Sequence, residues 1–257
     1  MEVSNSINAL FVRVRTIAGQ NLDPLTVSAR IDERDIPIYM AENLVIQGQS
    51  VGYEMIPDPR DPRPDRPTKY ITRPRLSARL ALDPGVVVKL NSARIEARQG
   101  GQLIAEGGEF NPVVFTSAAD DSYGSGGTFD TTGDAKASTP APGAWAGIYV
   151  GASSSASLDR TVVTYAGGQA SIEGGFDRFN PIEIHQAQAR IANSIIKNSA
   201  SGQASTDRVG RGTNSAAAIL VRGAQPVIVA NTVQDNAGAA ISIDVNSLNH
   251  QLVSDPG

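Results

Sequence analysis

The chain has no cysteine and only two histidines, and aromatic residues make up 5% of its 257 positions. Without cysteine there are no disulfides and no thiolate metal sites, so stability has to come from packing. Two isolated histidines, His185 and His250, are too few for a histidine-built zinc site. Long apolar runs are missing too: none approaches the roughly 18–20 residues that cross a bilayer. There is no excess of positive charge. The net charge of −4 argues against a nucleic-acid partner recruited by phosphate neutralisation. The start does not resemble a secretory leader, because Glu2 stands where positive charge is expected and Arg13 and Arg15 interrupt the apolar residues. The chain is expected to be a segment of a longer parent.

What is abundant is turn chemistry and period-two patterning. There are 25 glycines and 15 prolines. Between them, short strands follow one another. Val86, Val88 and Leu90 share one face; Ala93, Ile95 and Ala97 share the next, with Arg94, Glu96 and Arg98 opposite; Val113 and Phe115 share a third. Alternation repeated after turns, with no helical spacing between, predicts stacked β-coils. The C-terminal part carries a repeat: Asn193-Ser-Ile-Ile-Lys-Asn198 matches Asn231-Thr-Val-Gln-Asp-Asn236, 38 residues on. Subtracting an inserted loop at 202–214 leaves about 25 residues per coil, within the range of stacked repeats. Asparagine tolerates the left-handed corners of such coils and can ladder from one to the next.

The predicted architecture is an all-β, right-handed parallel β-helix over residues 76–257. Residues 1–56 precede it as a small β-rich segment or irregular first coils. Residues 57–75, where proline alternates with both signs of charge, form a linker or loop, because proline removes ladder donors and fixes φ.

The stretches Leu82-Asp-Pro-Gly-Val-Val-Val-Lys-Leu90, Asn111-Pro-Val-Val-Phe-Thr-Ser117, Gly147-Ile-Tyr-Val150 and Leu158-Asp-Arg-Thr-Val-Val-Thr-Tyr-Ala-Gly167, with the Asn-x-(Ile/Val)-x-x-Asn repeats, resemble right-handed parallel β-helix segments of large bacterial extracellular proteins. That superfamily is pectate-lyase-like in fold. It holds lyases, glycosidases, esterases, adhesins and structural stalks, so the resemblance implies a fold before an activity. A lyase of this superfamily is expected to use an arginine base beside calcium-binding aspartates. Arg160, Arg190 and Arg222 are present, but no such motif surrounds them.

Candidate chemistry falls in three places. The Asp-, Gly-, Ser- and Thr-rich insertion 118–143 offers Asp120, Asp121, Asp130 and Asp134 as calcium ligands, oxygen donors on a flexible loop. Asp159, Glu183 and Asp244 lie away from the apolar set and, stacked on one face, would supply the paired carboxylates of a glycoside hydrolase. Trp145 and Tyr149, extended by Tyr165, would stack sugar rings. His185 beside Glu183 reads as a surface residue with no orienting partner in view. The glycines at 124–127 are followed by no helix or lysine, and there is no Gly-x-Ser-x-Gly elbow. The leading expectation is a non-catalytic module of a secreted or cell-surface protein, in adhesion, structural support or glycan contact, with a polysaccharide or surface protein as partner. The alternative is a polysaccharide-acting enzyme, hydrolase or lyase, working from outer-face carboxylates. No cofactor is required; calcium is the candidate ion.

Overall fold

The computed structural model describes residues 5–14, 23–49, 52–63, 65–75 and 77–248. Arg15 and His250 lie outside the described residues, as does the C-terminal end of the expected solenoid. Three all-parallel sheets run the length of the molecule, and each coil contributes one strand to each. In the coil that begins at Ala78, Ala78–Leu82 belongs to the first sheet, Val87–Leu90 to the second and Arg94–Ala97 to the third. The next coil starts again with Gly101–Glu106 on the first sheet, Leu103 in register with Leu80. The chain is a right-handed parallel β-helix.

The alternation fixes which way each strand faces. Val86, Val88, Leu90, Ala93, Ile95, Leu103, Val113 and Phe115 are fully buried and form one continuous core with their counterparts above and below. A coil cannot bury its inner face alone, so apolar residues in register on successive coils stabilise one another. The Ile95, Ile148, Ile182 and Ile219 column of the third sheet is such a stack.

Residues 28–46 are part of the same solenoid. Ser28–Ile31, Ile38–Met40 and Leu44–Ile46 pair in parallel with the three strands of the 78–97 coil. The sheets therefore pass through the junction expected near residue 76. The proline-rich stretch is an excursion from them: Tyr53–Pro57 and Tyr70–Pro74 form an antiparallel hairpin, and 58–69 is its loop. Proline is accommodated because a two-stranded ribbon has only edges. Asp61, buried, ties the loop by accepting from the backbone N–H groups of Arg63, Thr68 and Lys69 at 3.1, 2.7 and 2.9 Å.

The asparagine repeat is present but shifted by one position. The register pairs Ile195 with Thr232, so equivalent residues are 37 apart and Asn231 stands above Ser194, not Asn193. Asn193 holds a left-handed corner (φ 50°), stacked between Arg160 (46°) and Ala230 (54°). Asn198, Tyr165 and Asp235 do the same at the next corner. Asn231 instead bridges coils: it accepts from the Ser194 N–H at 2.9 Å and donates to the Ile191 carbonyl at 2.8 Å. Asn236 repeats this with Ser199 and Ile196. Their role is structural.

Three long excursions leave between second-sheet and third-sheet strands: 118–146, 165–181 and 198–216. The second of them contains a hairpin, Gln169–Ile172 against Gly175–Arg178, with no counterpart among the expected elements. These excursions decide what the outer faces become.

Candidate functional site

On the third sheet the outward positions of consecutive coils are Arg94 and Glu96, then Tyr149, then Glu183 and His185, with Tyr149 in register with both Glu96 and Glu183. An outward strand face normally meets water. Here all five residues are buried, because the 165–181 and 198–216 excursions fold over them and bring Glu173, Phe179, Arg208 and Arg211. Burial of so many charges is tolerated only when they are paired and hydrogen-bonded.

They are. Arg208, fully buried, donates from its two terminal nitrogens to Glu183 at 2.7 and 2.9 Å. Glu183 also accepts the Asn180 N–H at 2.7 Å and meets His185 Nε2 at 2.9 Å. Glu96 is shared by Arg94 (2.6 Å), Arg98 (2.7 Å) and Arg211 (3.0 Å). Arg211 reaches on to Glu173 at 2.9 Å. Phe179 lies among three guanidinium groups, those of Arg94, Arg208 and Arg211, at 5.0, 5.1 and 5.9 Å from its ring centroid. The His185 ring lies against Tyr149 at 4.8 Å.

Beside this cluster opens a cleft of about 740 Å³, walled by Arg98, Glu173, His185, Arg211, Arg222 and Asp244. The carboxylates that line it, Glu96, Glu173 and Asp244, and Glu183 sealed behind them, are all held in their ionised form. For Glu96 and Glu183 burial alone would raise the pKa, but the facing arginines, and for Glu183 the His185 hydrogen bond, outweigh it and keep both below the usual range. The Arg211 hydrogen bond pulls Glu173 down to about 2. Asp244 is also lowered: its own burial opposes this, but the Gly223 N–H, Ser247 and Arg222 prevail. Burial, with Glu183 and Glu96 nearby, pushes the Tyr149 phenol up to about 12. Among the described residues, no serine, threonine or cysteine lines the cleft.

The expected carboxylate set is split by this geometry. Glu183 and Asp244 belong to the third-sheet side, but Glu183 is sealed beneath Arg208 and His185 and does not line the cleft. Asp159 is on the first sheet, paired with Arg190 at 2.6 Å and accepting from Asn193 at 2.9 Å. His185 is likewise not a surface residue: it is 7% exposed and has Glu183 as an orienting partner. Trp145 cannot stack a sugar. It is wholly within the core, and its indole N–H donates to the Thr164 carbonyl at 2.8 Å. Tyr149 does line the cleft, edge-on to Phe179. Tyr165 occupies a left-handed corner.

The acidic insertion covers part of the second sheet, over Lys89. That lysine is fully buried and donates to the carbonyls of Asp120 and Phe129 at 2.9 and 2.5 Å. Carboxylate oxygens of Asp121, Asp130 and Asp134 lie within 4.8 Å of one another. Asp120 is not of this group; it accepts from Thr116 and Ser122. Asp130 and Asp134 already accept turn N–H groups from Gly133, Ala135, Ala137 and Ser138. Asp121 Oδ1 is buried without a partner. Burial raises the Asp121 carboxyl above its ordinary range against the pull of Lys89, and Asp130 and Asp134 add to the rise.

Sequence reasoning assigned Arg94, Glu96 and Arg98 to an outward face and gave Glu173, Phe179, Arg208 and Arg211 no role. The available signal was positional: two long excursions leave at equivalent corners beside the third sheet, where an outer face can be covered. Compared with known proteins, the chain matches no protein family, no curated protein and no solved structure. No helix among the described residues is long and apolar enough to cross a membrane.

Proposed function

We propose that the chain is a non-catalytic β-helix module of a secreted or cell-surface bacterial protein, acting in adhesion or structural support, with the charged third-sheet cleft as its contact surface for a glycan. The observation that carries this reading is the state of the cleft carboxylates. Glycoside hydrolysis needs one carboxyl held protonated near neutral pH and a second placed to act as base or nucleophile. Glu96, Glu173 and Asp244, and Glu183 behind them, are all displaced the other way, and each is engaged by arginine. Such a surface offers fixed donors and acceptors for binding and no carboxyl held protonated for cleavage. The resemblance to pectate-lyase-like extracellular proteins supports the location and the polymer partner; the arginine-and-aspartate pattern of its lyases is not assembled, since the aspartate cluster lies by Lys89 and Arg222 lines the cleft.

Incubation with a panel of polysaccharides, read by new reducing ends and by absorbance of unsaturated products, tests this. The expected result is polymer binding without turnover. Sustained release that disappears in Asp244→Asn would replace this reading with the polysaccharide-acting enzyme.

Calcium is a secondary proposal. Asp121, Asp130 and Asp134 would hold it, through the unpartnered Asp121 oxygen above all. The nearby Lys89 ammonium and the occupied lone pairs of Asp130 and Asp134 make the site weak, and the ion would stabilise the insertion without entering any chemistry.

A further inference from the structure

The hairpin at 53–74 leaves the solenoid as a two-stranded ribbon. Arg73 pairs with Glu54 at 2.6 Å, and the Arg75 N–H donates to the Gly52 carbonyl at 2.9 Å. Its register sets Tyr53 opposite Pro74, Met55 opposite Thr72 and Pro57 opposite Tyr70. Those six share a face, since alternate residues of a strand point the same way. Tyr53 and Met55 are 71% exposed and Tyr70 51%. A ribbon that keeps aromatic residues in water invites a ligand.

Between this hairpin and the solenoid corner lies a second cleft, of about 710 Å³. One wall is Tyr53, Pro74 and Arg75; the floor includes Gln102, Ser155 and Gln188. These floor residues come from three consecutive coils and are in direct register, while their neighbours Leu103 and Ala156 turn into the core. Successive floor positions are therefore one inter-strand spacing apart, roughly 4.8 Å. That is close to the length of one sugar residue in an extended chain. In contrast to the charged cleft, no carboxylate is among the described residues that line this one; Arg75 is the cation among them, and Arg79 donates to the Gln102 side chain at 3.0 Å.

The chemistry is that of a neutral carbohydrate subsite. An exposed aromatic face receives the apolar face of a pyranose ring. Amides donate and accept at once, and so match hydroxyl groups, which do the same. An anionic polymer would find Arg75, with Arg79 already engaged by Gln102; a purely apolar ligand would leave the polar floor unmatched. We propose that this cleft binds an uncharged oligosaccharide, one ring lying on Tyr53 and the following residues hydrogen-bonded along Gln102, Ser155 and Gln188. The site is separate from the charged cleft and stands without it.

Affinity electrophoresis through gels holding hydroxyethyl cellulose, xylan, galactomannan or soluble starch, with polygalacturonate as the acidic comparison, tests the proposal. At least one neutral polymer is expected to retard the protein, equally at about 0.05 M and about 0.5 M salt, because uncharged contacts are not screened. Tyr53→Ala, a substitution at an exposed position, is expected to weaken retention about tenfold. Gln188→Ala should weaken it less, and Arg222→Ala in the charged cleft not at all. The proposal is overturned if no neutral polymer retards the protein, if retention is confined to polygalacturonate and vanishes with salt, or if Arg222→Ala abolishes retention while Tyr53→Ala, folded by circular dichroism, leaves it intact.

Discussion

Asp159 on the first sheet and Glu183 on the third are both outward carboxylates at a strand, each facing an arginine, and their surroundings are opposite. Asp159 meets Arg190 and Asn193 at the surface, and Arg190 is 44% exposed. Glu183 and Arg208 are both at 0%. The first sheet is bare at Asp159 because short corners, 151–154 and residue 160, lead into and out of its strand. The third sheet is roofed because 165–181 and 198–216 cross it. The same outward position is thus a solvated ion pair in one place and part of a sealed network in the other. What changes the outcome is the length of the excursions, not the strand pattern.

The comparison predicts a large difference in stability. Glu183→Gln leaves Arg208 buried without its counter-charge and is expected to cost about 3–5 kcal/mol in denaturant unfolding. A loss under about 1 kcal/mol would mean that the roof opens readily to water. Acid sharpens the same contrast. Glu96, Glu173 and Glu183 have folded pKa values below their unfolded ones, Glu173 at about 2. The unfolded chain binds more protons, so their stabilisation is complete above about pH 4.3 and is lost as pH falls toward about 2. The melting temperature should stay level from about pH 7 to 5 and then drop steeply, less so in Glu183→Gln; a level acid limb contradicts the network.

The roof over the second sheet supplies a smaller effect. Millimolar calcium is expected to raise the melting temperature by an amount equivalent to about 1 kcal/mol. Asp121→Asn should abolish that shift, and in calcium-free buffer it should be neutral or stabilising, since it removes a crowded carboxyl. No response at about 10 mM calcium rejects the site. Smallest of all, Asp159→Asn on the open first sheet is expected to cost under about 1 kcal/mol, as surface pairs do. A loss matching that of Glu183→Gln would erase the distinction between the two faces.

Much of the fold was legible because it is local. Val86-Val-Val-Lys-Leu90 alternates on its own, and its inward set is buried as its spacing implies. The repeat was legible to within one residue. Asn193 and Asn231 look equivalent in sequence, yet one turns a corner and the other bridges coils, a distinction set by register. The first coil at 28–46 was harder to see, because the hairpin at 53–74 separates it from its neighbour. Trp145 was misassigned for a related reason: between turn residues it resembles a surface aromatic, but the corner it sits on points inward.

By itself, then, the sequence determined that the chain winds into stacked coils and which aliphatic residues line their interior, since a two-residue period needs no distant partner to be read. The tertiary structure alone decided which polar residues stay in water. Arg211 and Glu96 are 115 positions apart and meet at 3.0 Å. Their contact follows from the path of a loop across a sheet, and no spacing in the chain encodes that.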